Sequence, residues 1–470
     1  MSSQSTSGTK KVRDFTEGAL LPQILMFVLP LIATSVLQLL FNTADTIVVG
    51  RWGGSTPEEC EISLAAVGSC GALVSLIINL FLGLSVGAGV CVAHGIGAKQ
   101  YEDVSKVVHT SVITSLFCGV IVTVIGVAGA KTFLTLMGTD PSVVGEASMY
   151  MRAYFCGMPA CMVYNYCATM LRSAGDTVRP LGFLSIAGVV NVVLNLIMVL
   201  VFRLGAVGVG IATAASQWVS CILIVIFMMR TDGVCKIELS KMKVDKAKLK
   251  RIIFLGLPAG LQSSLFSISN VLIQSSVNSF GKVFVAGATA ASNLDGYVYV
   301  SQNALYHAAL TFVGQNLGAR KYNRLIRVVA LCTVVVTVVG VLLGSGVCFF
   351  GETLLKIFIP ENPEAIGYGM IRLTFVCGTY FLCGLMEVGS GAMRGMGKAI
   401  TPMIVSLLGS CALRIVWIYT VFAMYPTPEI LYLSYPVTWI ITSSAHYIFC
   451  FFTIRKQMKM DNMSEKIVLN

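Results

Sequence analysis

The sequence predicts an all-α polytopic membrane protein, with twelve transmembrane helices in two six-helix lobes related by a parallel internal repeat. Composition is the first reason. The 470-residue chain is 56% hydrophobic and 12% charged, with mean hydropathy +0.81, whereas a soluble domain carries about 25% charged residues. The second reason is that the hydrophobic second half repeats the first. His94-Gly95-Ile96-Gly97-Ala98-Lys99-Gln100-Tyr101 returns as Gln315-Asn316-Leu317-Gly318-Ala319-Arg320-Lys321-Tyr322, 221 residues later. Met170-Leu171-Arg172-Ser173-Ala174-Gly175 with Pro180 returns as Ala392-Met393-Arg394-Gly395-Met396-Gly397 with Pro402, at an offset of 222. Cys156-Gly157 returns as Cys377-Gly378, and Leu29-Pro30 as Leu257-Pro258 at an offset of 228. A longer polar loop after the first span, from Gly53 to Ser63, accounts for the surplus. Two equivalent membrane bundles are the construction of an alternating-access transporter.

Residues 1–17 read as a polar cytoplasmic tail. The apolar stretch behind it is too long for a cleaved leader, so no secretory signal is expected. A membrane helix needs about 20 mostly apolar residues. Applied in order, that criterion gives spans at 22–50, 63–93, 104–128, 142–170, 180–202 and 206–229. It then gives 252–280, 283–315, 324–350, 365–392, 401–424 and 430–454. The lobes are therefore 18–229 and 252–455, joined by a basic cytoplasmic linker at 230–251 and followed by a cytoplasmic tail at 456–470.

The distribution of Lys and Arg sets the orientation. Most of the 33 fall at the N-terminus, the linker, the C-terminus and the loops of that same side, including Lys99, Arg172, Arg320 and Arg394. Arg51, Lys131, Arg203, Lys282 and Lys356 fall on the other side, and Arg152, Arg372 and Arg414 lie within spans. Both termini are expected in the cytoplasm, in a multi-pass plasma-membrane protein. Six spans per lobe make the repeat parallel, not inverted. The linker lysines could bind anionic lipid, but a topology determinant is the simpler reading.

Several chemistries are disfavoured. The fifteen cysteines sit mostly in apolar spans with no CxxC pair, where Cys behaves as a small hydrophobe. His94, His109, His307 and His446 are dispersed, so no metal site is expected. No phosphate-binding loop supports ATP hydrolysis, and no catalytic triad or carboxylate pair is present, so no catalytic residue and no cofactor are expected. Nothing points to nucleic acid.

Ionisable side chains inside a bilayer are costly and usually face a cavity or a partner. Gln38, Asn42 and Asp45 are spaced four and three apart, so they share one polar stripe on span one. Asp45 has no base near it in sequence, which suits reversible protonation or Na⁺ binding. Asn191 and Asn195 share a face of span five, and Thr213 lies on span six. Such oxygen donors suit a hard cation, although Asn pairs in membrane helices more often bond helix to helix. In the second half, Asp295, Glu387 and Arg414 lie deep in their spans. The economical expectation is that Arg414 pairs with Asp295 or Glu387; a pure ion pair would be structural, whereas a spare carboxylate could attract a cationic substrate. Arg152 and Arg372 hold matching places in the repeat, which suggests a shared structural role such as snorkelling to headgroups or capping carbonyls. Methionines and aromatics spread through the spans would suit varied apolar ligands.

Taken together, these stretches resemble the multidrug and toxic compound extrusion (MATE) family. The resemblance rests on Leu29-Pro30, the Gln38-to-Gly50 stripe with Arg51, Gly95-Ile96-Gly97-Ala98 and Leu171-Arg172-Ser173-Ala174-Gly175-Asp176. Gly208-Val209-Gly210-Ile211-Ala212-Thr213 and Met393-Arg394-Gly395-Met396-Gly397 complete it. It covers roughly residues 18–455 and implies a twelve-helix, two-lobe, V-shaped exporter coupled to inward H⁺ or Na⁺ flow. Asp45 is similar to the family's first-span aspartate, and Asn191, Asn195 and Thr213 fall where the DinF-like branch places its other cation ligands. Asn195 departs from the Asp often found there, which leaves one carboxylate in the site. Phe266 stands where the NorM-like branch has a Glu, and Cys383 aligns with its span-ten Asp, with Glu387 one turn away. The chain thus looks closer to the DinF-like branch.

The expected function is secondary antiport that exports organic, often cationic, amphiphiles in exchange for H⁺ or Na⁺ by alternating access. Asp45, Asn191, Asn195 and Thr213 would bind the cation. Gln38, Asn42, Asp295, Glu387 and Arg414 would line the substrate cavity, and Pro30 would reshape span one. Partners are small organic molecules and membrane lipids, with a monomer expected. One alternative is a lipid-linked oligosaccharide flippase, which should line its cavity with cationic side chains. The other is a membrane-embedded transferase, which should cluster acids, His or metal ligands at one membrane face.

Overall fold

The computed structural model describes residues 14–360 and 362–469. Every regular element among them is helical. The first half holds α1 (Leu20–Trp52), α2 (Pro57–Gly97), α3 (Tyr101–Leu136), α4 (Pro141–Phe155), α5 (Met158–Ser173), α6 (Val178–Leu196) and α7 (Gly205–Arg230). The second holds α8 (Lys246–Asn278), α9 (Lys282–Gly318), α10 (Tyr322–Phe349), α11 (Gly351–Phe358), α12 (Pro363–Val376) and α13 (Tyr380–Gly395). It ends with α14 (Ile400–Ser406), α15 (Leu413–Trp417) and α16 (Pro428–Leu469). Ten of these rods are long and apolar enough to cross a membrane, counting α12–α13 and α14–α15 as one rod each. The fourth and eighth expected spans, α4–α5 and α9, are helical but outside that set.

The internal repeat is visible in the backbone itself. α2 and α9 end in the same turn: Lys99 and Arg320 both adopt φ 56°. The Gln100 N–H bonds the Gly95 carbonyl at 2.8 Å, and the Lys321 N–H bonds the Asn316 carbonyl at 2.9 Å. α5 and α13 close the same way. Gly175 and Gly397 take φ 89° and 78°, and Asp176 and Lys398 each donate to a carbonyl five residues back at 2.9 Å. These are left-handed helix terminations with the crossed hydrogen bonds that satisfy last-turn carbonyls. Helix starts recur too. Asp140 caps α4 ahead of Pro141 and Asn362 caps α12 ahead of Pro363, each side chain accepting a backbone N–H, the expected pairing of an Asx cap with Pro at the first helical position. A π-turn at Ile197–Val201 after α6 returns as Ile418–Phe422 after α15, 221 residues on.

Two breaks explain why spans four and ten are not single helices. α4 gives way to α5 at Cys156-Gly157, and α12 to α13 across Cys377–Thr379. A Cβ on Gly157 would stand 2.8 Å from the Ala214 Cα, so glycine is what lets α7 press against this bend. In the second half Gly344 of α10 approaches the bend instead, 2.2 Å from its would-be Cβ to the Cys377 carbonyl.

The chain forms two compact units whose limits differ from those read from sequence. One is made of Ala33–Leu257 and residues 14–17; the other is made of Gly18–Ile32 and the described chain from Pro258 onward. α1 and α8 therefore change unit close to their internal prolines, Pro30 and Pro258. Side-chain contacts give the reason. The start of α1 belongs with the second unit because Phe27 packs edge-on to Phe312 at 5.5 Å and Arg324 donates to the Gly18 carbonyl at 2.8 Å. The linker belongs with the first because His109 and Thr110 of α3 accept the Glu238 and Asp245 backbone N–H groups at 3.0 and 3.1 Å. Lys248 also pairs with Asp103 at 2.7 Å. The expected tail at 456–470 is helical as far as Leu469, a continuation of α16; of the N-terminal tail, residues 1–13 lie outside the described residues.

Candidate functional site

In the first unit, four residues from three helices form one chain of hydrogen bonds. Asn195 Nδ2 donates to Asp45 Oδ1 and, at 3.3 Å, to Asn191 Oδ1. Asn191 Nδ2 donates to the Thr213 hydroxyl at 3.4 Å, and that hydroxyl donates to the Val209 carbonyl at 2.9 Å. Asn191 and Asn195 are 5% and 1% exposed, and Asp45 is half-buried.

Local sequence builds this arrangement. The i, i+4 spacing stacks the two asparagines on one face of α6. Thr213 reaches them because α7 begins with small residues. A Cβ on Gly208 would lie 3.0 Å from the Met198 Cβ, and one on Gly210 would lie 2.8 Å from the Tyr150 carbonyl, so glycine allows α7 to close on its neighbours. The π-turn at Ile197–Val201 starts two residues after Asn195; such turns frequently mark functional segments.

The set joins one carboxylate to two amides and a hydroxyl, groups whose oxygens are hard donors. Asp45 makes no ion pair among the described residues, so its charge is met only by an amide. The buried Asn195 Oδ1 has no hydrogen-bond partner, which is unusual for a buried amide oxygen. A half-turn of that amide would present the carbonyl to Asp45. In that orientation it could accept from a protonated carboxyl or coordinate a cation beside the carboxylate. Gln38 and Asn42 lie on the exposed side of α1 and do not join the chain.

The second unit overturns two expectations. Asp295 pairs with Arg372, not Arg414: Nε and Nη2 donate to Oδ2 at 2.9 and 2.6 Å, and the Cys377 thiol donates to Oδ1 at 2.8 Å. Arg372 therefore does not snorkel; its side chain is 12% exposed and neutralises a buried acid. Arg152, its repeat mate, is exposed, so the two do not share a role. Arg414 is buried with no carboxylate partner among the described residues. It stacks 4.1 Å over Tyr435 and donates to the Thr438 hydroxyl at 3.1 Å. Among the described residues Glu387 makes no ion pair either, with Arg394 as its charged neighbour. The span pattern places these groups within helices but does not say which helix faces meet.

Two further residues hold the structure in ways that the sequence reading did not assign. Arg394, counted with the cytoplasmic charges, is 7% exposed and donates to the Tyr306 hydroxyl at 2.6 Å and to Gln262 Oε1 at 2.7 Å. The Arg172/Arg394 repetition was its available signal. His109 holds the linker, for which no sequence signal existed. Among the described residues, no three His, Cys, Asp or Glu side chains are grouped to hold a metal.

Comparison with known proteins agrees with this architecture. The MatE family model matches residues 30–197 and again 258–420, so its two matches begin at Pro30 and Pro258. "Probable multidrug resistance protein YoeA" of Bacillus subtilis is 26% identical over 442 residues, covering 92% of this chain and 94% of that one. "Multidrug export protein MepA" of Staphylococcus saprophyticus is 21% identical over 396 residues, 84% of this chain and 86% of its own. Among solved structures, an outward-facing multidrug resistance MATE family transporter of the MOP superfamily superposes with a TM-score of 0.88 at 22% identity, covering 96% of this chain and 100% of that one. A MOP superfamily transporter from Pyrococcus furiosus, described for the reverse polarity of its binding pocket, matches equally, at 0.88 and 22% with the same coverage.

Proposed function

The chain belongs to the MATE family, and from that premise we propose that it is a secondary antiporter that exports organic, often cationic, amphiphiles in exchange for H⁺ or Na⁺. The observation that carries this reading is the hydrogen-bonded set of Asp45, Asn195, Asn191 and Thr213. It offers one ionisable group and several oxygen donors in a half-buried place, where neutralising the carboxylate changes the helix-to-helix bonding. The relatives named for multidrug resistance and export support the substrate class.

In the proposed cycle α4–α5 and α9 also cross the plasma membrane, giving twelve spans, with both termini cytoplasmic. Gln38 and Asn42, exposed on α1, meet the substrate. Cation binding at Asp45 exchanges the Asn195 N–H for the Asn195 carbonyl oxygen by the half-turn of that amide, and α1 bends near Pro30 as access alternates between the two sides. Such a cycle works only if the ion prefers one state by several kcal/mol. The test is ethidium efflux from proteoliposomes holding wild type or Asp45→Asn, under a pH gradient or a Na⁺ gradient applied separately. Efflux driven by one gradient and lost in the variant supports antiport and names the ion. A well-folded wild type that moves no organic cation under either gradient would refute it.

A further inference from the structure

The seam between α1 and α6 has a second contact, one helical turn before Asp45. The Phe41 ring lies directly on Gly188. A Cβ added to Gly188 would stand 1.8, 2.0 and 2.5 Å from ring atoms Cε2, Cζ and Cδ2, so the ring fills the space that any side chain there would need. Backbone conformation does not demand glycine at this place, because Gly188 is absent from the glycines with positive φ. Inside a helix glycine is itself a poor choice against alanine. What excludes a side chain is the ring.

The two contacts are in register. Phe41 and Asp45 are four residues apart on α1. Gly188, Asn191 and Asn195 follow at three and four on α6, and each set lies along one helix face. Seating the ring on Gly188 therefore fixes the height and separation at which the carboxylate meets the two amides. An aromatic ring against a bare backbone is either seated or displaced, because packed interfaces switch between discrete arrangements and do not deform smoothly. We infer that Phe41 and Gly188 are positioning residues for the Asp45 site: the ring seated on the glycine assembles the ion-binding set, and its departure takes Asp45 away from Asn195. This rests on the antiport reading for its functional meaning, and on the contact geometry alone for the seating.

The experiment compares wild type, Gly188→Ala, Phe41→Leu and the double variant Gly188→Ala/Phe41→Leu. In proteoliposomes, Gly188→Ala should raise the half-saturating concentration of the coupling ion about tenfold, the scale of losing one hydrogen bond to a charged group, with maximal efflux less affected. Trimming the ring to Leu in the same protein should recover most of that loss. A merely structural defect would lower maximal efflux without moving the ion dependence. In parallel, hydrogen exchange of α1 around residues 41–49 should quicken in Gly188→Ala and slow again in the double variant. Wild-type ion dependence and exchange in Gly188→Ala, or a loss that Phe41→Leu does not recover, overturns the inference. If wild type shows no gradient-driven efflux, the antiport reading fails, and the exchange pattern still decides whether the ring seats α1.

Discussion

Arg372 closes on one oxygen of Asp295 through Nε and Nη2, while the Cys377 thiol donates to the other. Asp295 is 5% exposed, so its charge depends on that single guanidinium. Breaking a buried pair by removing one partner typically costs about 3–5 kcal/mol, because an uncompensated charge remains. Arg372→Ala is therefore predicted to lower the unfolding temperature in detergent sharply. Arg372→Ala/Asp295→Ala, which removes both charges, should recover a large part. A double variant no more stable than the single one would show that the pair is not what holds α9 to α12.

A different balance applies at Asp45. The Asn195 amide serves both Asp45 and Asn191, so Asn195→Ala removes two bonds next to the carboxylate together with the carbonyl that would meet the ion, whereas Thr213→Val removes the 3.4 Å bond from Asn191 and the hydroxyl's bond to the Val209 carbonyl, both at the far end. A hydrogen bond to a charged group is worth roughly 1.5–3 kcal/mol and a neutral one about 1. Asn195→Ala should thus weaken the apparent affinity for the coupling ion by tenfold or more, and Thr213→Val by a few-fold. Ion titration of efflux ranks them, and the reverse order would remove Asn195 from the centre of the site.

These two clusters differ in how far they were legible in the sequence. Asp45, Asn191, Asn195 and Thr213 carried polar groups at helical spacing, and the family resemblance joined positions that lie 150 residues apart. The repeat was legible because the same turn chemistry is written twice, at Lys99 and Arg320 and again at Gly175 and Gly397. Asp295 was different. Hydropathy placed Arg372 and Arg414 within spans, but the choice between them depends on which faces of α9, α12 and α15 meet, and period alone does not set helix rotation. Cys156-Gly157 was legible as a repeated pair, yet its meaning as a helix break depends on α7 pressing against it. Gly188 gave no signal, since its role is defined by a ring on another helix.

His109 ties the linker down by a specific tautomer. Its Nδ1 lies 2.7 Å from the Ser105 carbonyl, which only accepts, so Nδ1 carries the proton and Nε2 is left to accept the Glu238 N–H at 3.0 Å. Losing that acceptor leaves the Glu238 N–H without a partner, a change of about 1–3 kcal/mol in local opening. His109→Ala should accelerate amide exchange across 236–240 by about tenfold or more, with α6 unaffected. Unchanged exchange would mean that Thr110 and the Lys248–Asp103 pair hold the linker without the imidazole.

Lys99 and Arg320 offer the converse, a gain of stability. Both sit at φ 56° in a turn that the repeat imposes on each half. A left-handed residue with a Cβ costs about 1–2 kcal/mol, and replacing it with glycine returns about 0.4–1 through the looser unfolded chain. Lys99→Gly is accordingly predicted to stabilise by roughly 0.5–1 kcal/mol, the difference between those terms. Arg320→Gly should match it, because the ion pair it gives up, with Asp461 at 3.9 Å, has an Arg side chain 69% exposed and such surface pairs contribute little. The sites belong to separate units, so the two gains should add. Thermal unfolding of the single and double variants measures this. A loss at both positions would mean that the lysine and arginine side chains stabilise these turns by more than their backbone strain costs.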